Sequence, residues 1–588
     1  MTLIRRLVSL PVAIVFVLAN TLSALPAAAQ STRAQELSRK FDAALASAAN
    51  RGGAEKVSVI ISVDKKHRAA LKQFLRRGGH ATRWELPAMS GVSAEIPAAA
   101  LEQIANLPGV ARVSIDAVVR SDEFSSAIVD ELSAQPTISD DASSSLTSTS
   151  PLDAGTASAT PGTNSLVMTT GFHEGWVVRA ALGIDQIPVT VNGAGIGVAV
   201  IDSGIAAVAD FGKRITAFYD FTQGGIPTAP YDDFGHGTHV AGLIGGAGRP
   251  EAPHAIGIAP GVRLIGLKVL DHEGAGTTSD VIAAIEFATL NKAALGIDII
   301  NLSLGHPPFE SAATDPLVQA VQRASAAGIL VVASAGNFGT NPETGLTGFG
   351  GISSPGNAPS ALTTGSSHIQ WTARRSDDWV NNYSSRGPTW YDGFAKPDIV
   401  APGYRLVAAA APNSTLVNSY PSMLVPDAAG KLSYIALSGT SMAAAVASGM
   451  AALTIDANRA ADRPALAPNA IKAILQFTAV TMRDTAGAVY HPLIQGAGGL
   501  NGLGALKLAH AIDAGAPAGG YWLTTAIDPF DEIAGELLSW ARNLIWRQNI
   551  VWGDTVFRNF WAQSIVWGNN IVWGDNIVWG DTLAGSQP

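Results

Sequence analysis

Val198-Ala199-Val200-Ile201-Asp202-Ser203-Gly204 is an apolar run that ends in a carboxylate and a glycine. Similar apolar runs recur along the chain, and stretches with helical spacing lie between them. The runs cover 196–201, 264–269, 299–302 and 329–334, and the helical stretches cover 278–295 and 316–327. Apolar strands that alternate with helices indicate an α/β fold with a mostly parallel sheet flanked by helices. Because catalytic groups of such sheets usually lie where strands end, Asp202 is a candidate.

The composition is that of a large globular chain. Of its 588 residues, 47% are hydrophobic and 14% are charged, and the formal net charge is −9. These values exclude a mainly disordered protein, and without a basic block no nucleic-acid partner is expected. The absence of cysteine excludes disulfides, Cys-ligated zinc, iron–sulfur clusters and thiol catalysis.

Residues 1–29 are typical of an export signal peptide. Arg5 and Arg6 precede an apolar run over 7–18, and Leu25-Pro26-Ala27-Ala28-Ala29 offers a small-residue cleavage site. A membrane anchor is the alternative, but the run is short for a bilayer span. We therefore expect an exported protein, whether it is secreted, periplasmic or held at the cell surface.

Residues 57–120 have the pattern of a small α+β domain of split-βαβ type. The predicted elements alternate strand, helix, strand, helix and strand, at 57–63, 65–76, 91–96, 98–105 and 110–115. Residues 121–170 are rich in Ser, Thr, Asp, Ala and Pro and poor in large apolar groups. That composition predicts a flexible linker.

The C-terminal residues 516–588 contain Trp-Gly-Asp hexad repeats. Their tryptophans are Trp540, Trp546, Trp552, Trp561, Trp567, Trp573 and Trp579. A spacing of six places the rings on one face of an extended strand, so short strands joined at the Gly-Asp steps are predicted. An amphipathic helix over 531–547 is the alternative. Such a tail could contact a cell surface, a glycan or another protein, or pack on the body of the chain.

Gly235-His236-Gly237-Thr238-His239 offers a general base. The pKa of an unperturbed histidine lies near neutrality, and the glycines around His236 allow a substrate to approach closely. Metal binding by the two histidines is the alternative, but the Glu of the usual zinc-protease helix and an evident third ligand are missing. We interpret His239 as a packed structural histidine.

Ser438-Gly439-Thr440-Ser441-Met442-Ala443-Ala444 introduces a run of small residues that predicts a helix. A serine at the start of a helix can expose its hydroxyl where the helix dipole favours negative charge, which makes Ser441 the candidate nucleophile. Ser438 and Thr440 fit N-cap residues. Asn337 follows a buried strand, and its amide can donate a hydrogen bond to a tetrahedral oxyanion.

These blocks, in the chain order Asp, His, Ser, resemble the subtilisin family of serine proteases, the subtilases. The order differs from that of the α/β-hydrolases and of the chymotrypsin type. Ser384-Ser385-Arg386-Gly387-Pro388 and Lys396-Pro397-Asp398-Ile399-Val400-Ala401-Pro402-Gly403 also match family patterns. The resemblance covers 171–515 as a catalytic domain and 57–120 as the core of an inhibitor-like propeptide that spans 30–120.

The resemblance implies a secreted serine endopeptidase made as a self-processed zymogen, with its own propeptide as intramolecular inhibitor and proteins or peptides as substrates. It implies a triad of Asp202, His236 and Ser441, and an oxyanion hole formed by Asn337 and the backbone N–H of Ser441. The substrate-binding residues it implies are Gly274, Ala275, Gly276, Ser303, Leu304, Gly305, Ser334, Ala335 and Gly336. The last three are small and uncharged, so a roomy pocket for large apolar side chains is expected.

Two departures from the family pattern qualify what is carried over. Ala445 and Val446 replace the usual Pro-His after the nucleophile segment, at positions that support helix packing. Residues 243–256 lack the Asn-rich loop of the family's strong calcium site, so calcium is not expected at that position, although weaker sites elsewhere stay possible. No cofactor is expected to be required. The alternative function is a catalytically silent subtilase-fold binding or surface protein that acts through its Trp repeats.

Overall fold

The computed structural model describes residues 39–121, 175–248, 255–340, 346–516, 521–546 and 549–552. The predicted signal peptide 1–29, the linker from 122 onward and the hexads from 553 onward lie outside these residues. The chain forms two compact units. The first contains the N-terminal part up to Ala117 together with Phe309–Pro316, and the second contains the rest of the chain.

The first unit is an α+β structure, as the sequence predicts. Its helices are α1 (Ala43–Arg51), α2 (Arg68–Arg77) and α3 (Leu101–Ala105), and its strands are β1 (Lys56–Val63), β2 (Thr82–Leu86), β3 (Gly91–Pro97) and β4 (Val110–Ile115). The strands form an antiparallel sheet in the order β2-β3-β1-β4. The sequence does not predict β2, because this edge strand is largely exposed and lacks an apolar alternation.

The segment Phe309–Pro316 completes the first unit. Glu310 accepts hydrogen bonds from Ser114 Oγ and from Arg112 Nε, each at 2.5 Å, and Ala43 N donates to Phe309 O at 3.2 Å. Burial raises the pKa of the Glu310 carboxyl. No pattern in the sequence indicates this placement, because it depends on partners about 200 residues away.

The second unit is built on a nine-stranded, mostly parallel sheet, which confirms the predicted architecture. Its strands are β6 (Gly197–Asp202), β7 (Ile215–Asp220), β8 (Ile226–Pro227), β9 (Arg263–Lys268), β11 (Ile299–Leu302), β13 (Leu330–Ser334), β14 (Leu362–His368), β15 (Trp379–Val380) and β16 (Ile399–Pro402). They run in the order β15-β14-β13-β11-β6-β9-β7-β8, with β16 beside β14. Only β8 and β15 are antiparallel to their neighbours. The central strands are fully buried, as strands covered on both faces must be.

Two three-stranded antiparallel sheets flank this core. One consists of β5 (Val118–Ser121), β10 (Ala275–Thr277) and β12 (Leu304–Gly305), with β5 in the middle. The other consists of β17 (Leu406–Ala409), β18 (Leu424–Pro426) and β19 (Leu432–Leu437), with β19 in the middle.

Helices surround the sheet of the second unit. They are α4 (Gly175–Ala181), α5 (His236–Gly245), α6 (Thr278–Leu290), α7 (Lys292–Leu295), α8 (Pro316–Ala326), α9 (Thr415–Ser419), α10 (Thr440–Ala460), α11 (Pro468–Phe477), α12 (Pro492–Gln495) and α13 (Gly502–Ala511). Among the described residues, α10 alone is long and apolar enough to cross a membrane. It is almost wholly buried and packs against β11, β13, β14 and β16, as the core helix of a globular unit does.

The first part of the predicted C-terminal extension packs on the same hydrophobic core. Trp522, Trp540 and Leu544 are buried members of that core. The helix considered over 531–547 is wrong, because this stretch forms the strands β20 (Phe530–Ile533) and β21 (Glu536–Ser539) of a hairpin and continues into β22 (Asn543–Trp546). Ala534 and Gly535 have positive φ angles, which suit a tight turn and not a helix.

The described part of the Trp repeats forms a second hairpin. Strand β22 pairs antiparallel with β23 (Asn549–Trp552), and Trp546 lies opposite Asn549. Short strands are therefore present where the period of six predicted them. Strand β22 ends at Trp546 and β23 begins at Asn549, and no Gly-Asp pair lies between them in the sequence.

Candidate active site

Asp202 is the last residue of β6, at the carboxyl end of a central strand between β9 and β11. Its side chain is fully buried. Asp202 Oδ1 accepts a hydrogen bond from Ser203 N at 2.7 Å and lies 2.6 Å from His236 Nδ1. The predicted acid and base are therefore in direct contact.

His236 is the first residue of α5, and two glycines make its position possible. Gly235 precedes it with a φ of +109°, a conformation that residues with a Cβ rarely adopt. A Cβ on Gly237 would lie 2.1 Å from Gly204 O and 3.1 Å from Asp202 Cβ. The Gly-His-Gly sequence thus lets the start of the helix approach the end of β6.

The protein interior disfavours charge on either member of this pair. Burial lowers the pKa of His236 well below its usual value, and the neighbouring His239 lowers it further. Burial also raises the pKa of Asp202, an effect that the hydrogen bond from Ser203 N opposes. The imidazole is consequently uncharged at neutral pH, the state that a general base requires.

Ser441 lies in the first turn of α10, where the sequence places the nucleophile. Its Oγ donates to Ser303 O at 3.1 Å, and its backbone carbonyl accepts from Ser303 Oγ at 2.9 Å. Asn301 Nδ2 donates to Ser303 Oγ, and Asn301 Oδ1 accepts from Ser448 Oγ, both at 2.9 Å. A buried polar chain from β11 thus fixes the start of the helix.

Thr440 orients the side-chain amide of Asn337. The amide oxygen accepts from Thr440 N at 3.1 Å and from Thr440 Oγ1 at 3.2 Å. Its Nδ2 is buried and has no hydrogen-bond partner among the described residues. A buried donor without a partner costs free energy, and a hydrogen-bond acceptor placed beside this amide would recover that cost.

Two interpretations of neighbouring residues need correction. Neither Ser438 nor Thr440 caps α10, whose N-cap residue is Gly439 without a side-chain hydrogen bond. Ser438 Oγ instead accepts from Arg405 N at 2.9 Å. Thr440 Oγ1 accepts from Gly336 N at 3.1 Å while it donates to Asn337, so it serves the amide and not the helix end.

His239 is buried beside the site and lies against a backbone carbonyl. Its Nε2 lies 2.9 Å from Leu406 O, and burial lowers its pKa to about 4. Among the residues that the structure describes, no group of three or more His, Asp or Glu is placed to hold a metal ion. Residues 249–254 of the stretch considered for calcium lie outside the described residues, so that expectation stays a prediction.

The implied substrate-binding strands face each other across β5. Strand β5 pairs antiparallel with β10, where Arg120 lies opposite Ala275, and with β12, where Ser121 lies opposite Leu304. Gly274 precedes β10 with a φ of +70°. A segment of the chain itself therefore lies, fully extended, between the two strands implied to bind substrate.

The implied pocket residues lie at the end of β13. Ser334 and Ala335 are fully buried, and Ser353 N donates to Ala335 O at 3.1 Å. A Cβ on Gly336 would lie 2.9 Å from Ser385 Oγ. These contacts join the segment before Asn337 to two neighbouring loops.

The sequence analysis does not single out two residues that contact the end of β6 and the start of α5. Asp232 accepts hydrogen bonds from both sides of the Asp202–His236 pair, and Lys268 donates to the backbone carbonyl of Ser203. The signal was present, since an acidic pair, Asp232 and Asp233, precedes the histidine and a lysine ends the apolar strand β9. Only the fold brings them together.

Comparison with known proteins places these features in a family. The sequence model of the subtilase family matches residues 193–498, just over half of the chain. Serine protease AprX of Bacillus subtilis is 38% identical over 317 residues, which are 53% of this chain and 66% of that protein. Subtilisin DY of Bacillus licheniformis is 32% identical over 294 residues, which are 50% of this chain and 87% of that protein.

The fold agrees with a solved structure. Fervidolysin from Fervidobacterium pennivorans, described as a keratinolytic enzyme related to subtilisin, has a TM-score of 0.54 and 19% identity to this chain. The superposition covers 77% of this chain and 61% of that one. The family match across half of the sequence, together with the relatives at more than 30% identity, establishes that this chain belongs to the subtilase family of serine proteases.

Proposed function

We propose that the chain is an exported serine endopeptidase that hydrolyses peptide bonds of proteins through an acyl-enzyme. The observation that carries this proposal is the fully buried contact of 2.6 Å between His236 Nδ1 and Asp202 Oδ1. It is supported by Ser441 in the first turn of α10 and by Asn337 Nδ2, for which the described residues offer no hydrogen-bond partner.

His236 would act first as a base and then as an acid. With its Nδ1–H held by Asp202, its other nitrogen carries the lone pair that can accept the Ser441 proton as Oγ attacks the scissile carbonyl carbon. The resulting imidazolium, stabilised by Asp202, would protonate the departing amine. The same ring would then take a proton from water as that water hydrolyses the ester on Ser441.

Asn337 would stabilise the negative charge that develops on the substrate oxygen. Its Nδ2 is buried, unpartnered and held by the two contacts of Thr440 with its carbonyl oxygen. The backbone N–H of Ser441, in the first turn of α10, would be the second donor. Donors fixed before the reaction cost no reorganisation when the charge appears.

Substrates would bind as an added strand between β10 and β12. Main-chain hydrogen bonds in this mode give affinity without regard to sequence, and side-chain pockets give preference. Ser334, Ala335 and Gly336 would line the pocket for the residue before the scissile bond. Their small, uncharged side chains support a preference for large apolar residues.

We further propose that the enzyme is made as an inhibited precursor. Strand β5 lies where a substrate strand would lie, and its antiparallel pairs with β10 and β12 would have to break before a substrate could enter. Residues 30–120 would form the propeptide, and a cut between Arg120 and residue 171 would allow its release. Residues 1–29 would direct export.

The test compares the full-length parent with Ser441→Ala and with Ser438→Ala as the matched control. We expect the parent and Ser438→Ala to cut themselves between 120 and 171 and to digest casein. Ser441→Ala should do neither, because it lacks the attacking oxygen. Intact mass measures the self-cleavage. Casein digestion by Ser441→Ala at the parent's rate would refute the proposed mechanism.

None of these steps needs a metal, since every acid, base and hydrogen-bond donor is supplied by the chain. We therefore propose that turnover requires no cofactor. Initial rates measured before and after treatment with EDTA at constant temperature should agree. A lost rate that calcium restores would instead point to a calcium site that supports the active fold.

A further inference from the structure

Asp232 is a buried carboxylate that is not part of the proposed triad but accepts four hydrogen bonds around it. Its Oδ1 accepts from Ser203 Oγ at 2.9 Å and from Gly235 N at 2.7 Å. Its Oδ2 accepts from Thr238 N at 2.8 Å and from Thr238 Oγ1 at 2.7 Å. Both oxygens are therefore fully engaged.

The donors lie on the two elements that carry Asp202 and His236. Ser203 follows Asp202 at the end of β6, whereas Gly235 and Thr238 lie on either side of His236 in chain order. Ser203 Oγ also accepts from Gly237 N at 2.9 Å. Asp232 and Ser203 together thus join the end of the strand that carries the acid to the start of the helix that carries the base.

Lys268 approaches the same strand end from β9. Its ammonium group donates to Ser203 O and Leu270 O, both at 2.7 Å, and to Asp233 Oδ1 at 2.6 Å. The lysine side chain is 1% exposed, whereas that of Asp233 is 42% exposed. A positive charge is therefore held in the interior beside Asp202, while its counter-ion Asp233 is partly solvated.

These two charges act on the acid in opposite directions. The carboxylate of Asp232 raises the pKa of Asp202, and the ammonium of Lys268 lowers it. Charges in the protein interior are poorly screened, so we expect each of them to act also on any proton held by His236. A carboxylate favours the imidazolium form of His236, and an ammonium disfavours it.

We propose that Asp232 and Lys268 are positioning residues of the hydrolytic reaction that set both the geometry and the proton affinity of the Asp202–His236 pair. This inference rests on the proposed function, because it assigns the two residues through the triad. In this arrangement the hydrogen bonds of Asp232 fix the distance between acid and base. The opposed charges of Asp232 and Lys268 keep the basicity of His236 between the values that either charge alone would give.

Few other charges bear on the pair. His239 lies on α5 with His236 and is uncharged at neutral pH, since burial lowers its pKa to about 4. Strand β17, which packs on α5, carries no titratable residue, and α10 carries its charged residues, Asp456 and Arg459, near its far end. Asp232 and Lys268 are thus charges through which the pair can be tuned.

The test is the pH dependence of kcat/KM on a peptide substrate for the parent, Asp232→Asn and Lys268→Met. Loss of the Asp232 charge lowers the pKa of His236. The acid limb of the profile, where kcat/KM falls as His236 becomes protonated, should therefore move to lower pH. Loss of the Lys268 charge raises that pKa, so the limb should move to higher pH. We expect shifts of at least about half a pH unit in opposite directions.

A purely structural role would not produce that pattern. Asp531→Asn serves as the control, because it removes a buried carboxylate from the C-terminal part of the same unit. It should lower thermal stability and leave the acid limb in place. Acid limbs for Asp232→Asn and Lys268→Met that coincide with that of the parent, or that shift in the same direction, would overturn the proposal.

Ser203→Ala keeps the test decisive where a charge variant does not fold. It removes the hydroxyl that links Asp232 to Gly237 without changing any charge. We expect about a tenfold lower kcat with an unchanged KM and acid limb; an unchanged kcat would count against the positioning role. Ser441→Ala belongs in the same series, because activity in that variant refutes the proposed function itself, whereas coincident limbs refute only this inference.

Discussion

The parallel sheet of the second unit holds buried ionisable residues at the carboxyl ends of its strands, here called the carboxyl edge, and at the amino ends, here called the amino edge. The two edges differ in how fully their polar groups are hydrogen bonded. At the carboxyl edge, Asp202 ends β6 and contacts His236. Asp202 Oδ2 and Asn337 Nδ2 have no hydrogen-bond partner among the described residues. This edge retains polar atoms that an incoming group can engage.

At the amino edge, the carboxylate of Asp398 lies just before β16 and is saturated. Its Oδ2 accepts from Lys396 Nζ and from Thr363 N, both at 2.7 Å. Its Oδ1 accepts from Gln476 Nε2 at 3.2 Å and lies 3.0 Å from Lys472 Nζ. Both ammonium groups also donate to the backbone carbonyl of Ala361.

The difference separates two uses of buried charge. A saturated cluster has no free donor or acceptor for a substrate. Substitution of one of its residues leaves uncompensated charge in the interior and should therefore lower the free energy of unfolding. An unsaturated cluster lowers the stability of the fold because it keeps a donor or acceptor without a partner. Substitution of one of its residues should therefore lower the rate of the reaction. Variants at the two edges test this separation.

The largest effect is expected at the saturated edge. Asp398→Ala leaves Lys396 and Lys472 buried without a counter-ion and should lower the free energy of unfolding by about 3 to 5 kcal/mol. Denaturant unfolding of an inactive Ser441→Ala background measures it without self-digestion. The exposed Asp528 provides the control, since Asp528→Ala should leave the midpoint unchanged. A similar midpoint for both variants would contradict the comparison.

The matching variant at the carboxyl edge is Asn337→Ala. Removal of an oxyanion-hole amide in subtilisin costs about 3 to 4 kcal/mol of transition-state stabilisation, roughly 100- to 1,000-fold in kcat, and we expect the same magnitude for Asn337 if it has the proposed role. Since the amide is proposed to meet only the developing oxyanion, KM should change little. Steady-state kinetics on one peptide substrate separate the two constants. An equal rise in KM with kcat preserved would assign Asn337 to substrate binding instead.

A pH experiment extends the comparison to His239, which is buried and lies against the backbone carbonyl of Leu406. Its pKa is lowered to about 4, whereas an unfolded histidine has about 6.5. Between these values the unfolded chain binds the proton and the folded chain does not, so stability is full above pH 6.5 and declines as pH falls toward 4. The contribution is about 3 kcal/mol.

The comparison variant is His239→Gln, which can keep a donor near Leu406 O but cannot titrate. The free energy of unfolding of the parent should fall more steeply between pH 6.5 and 4 than that of the variant. Subtraction of the two curves removes opposing groups such as Asp378, whose pKa burial raises to about 7. Parallel curves would show that His239 titrates normally in the folded chain.

Sequence patterns predict the parts of this molecule that local chemistry determines. The apolar strand before Asp202 and the glycines around His236 identify the sheet and the acid–base pair, because those residue types are required at consecutive positions. The contacts of Asp232 with both elements and the placement of 309–316 cannot be read from such patterns alone, because both depend on the meeting of distant segments. The wrong helix over 531–547 has the same origin.

That C-terminal stretch contains a third buried carboxylate, that of Asp531. A variant beside it gives the smallest loss of stability that we predict. Asp531 accepts from Trp540 Nε1 at 2.6 Å and from Asn501 Nδ2 at 2.8 Å. Trp540→Phe keeps an aromatic ring beside Phe477 but removes the hydrogen bond to the carboxylate, so unfolding should become about 2 kcal/mol easier, with kcat unchanged.

Tyr521→Phe, at an exposed ring of the same stretch, should leave both stability and rate unchanged. If the two variants unfold at the same denaturant concentration, the stretch 521–544 is an appendage whose packing contributes nothing. If Trp540→Phe alone is destabilised, the stable unit extends through Leu544, and a truncation at residue 515 removes part of the core and not a tail. The buried charge of Asp531 then serves the fold, as that of Asp398 does, and not the reaction.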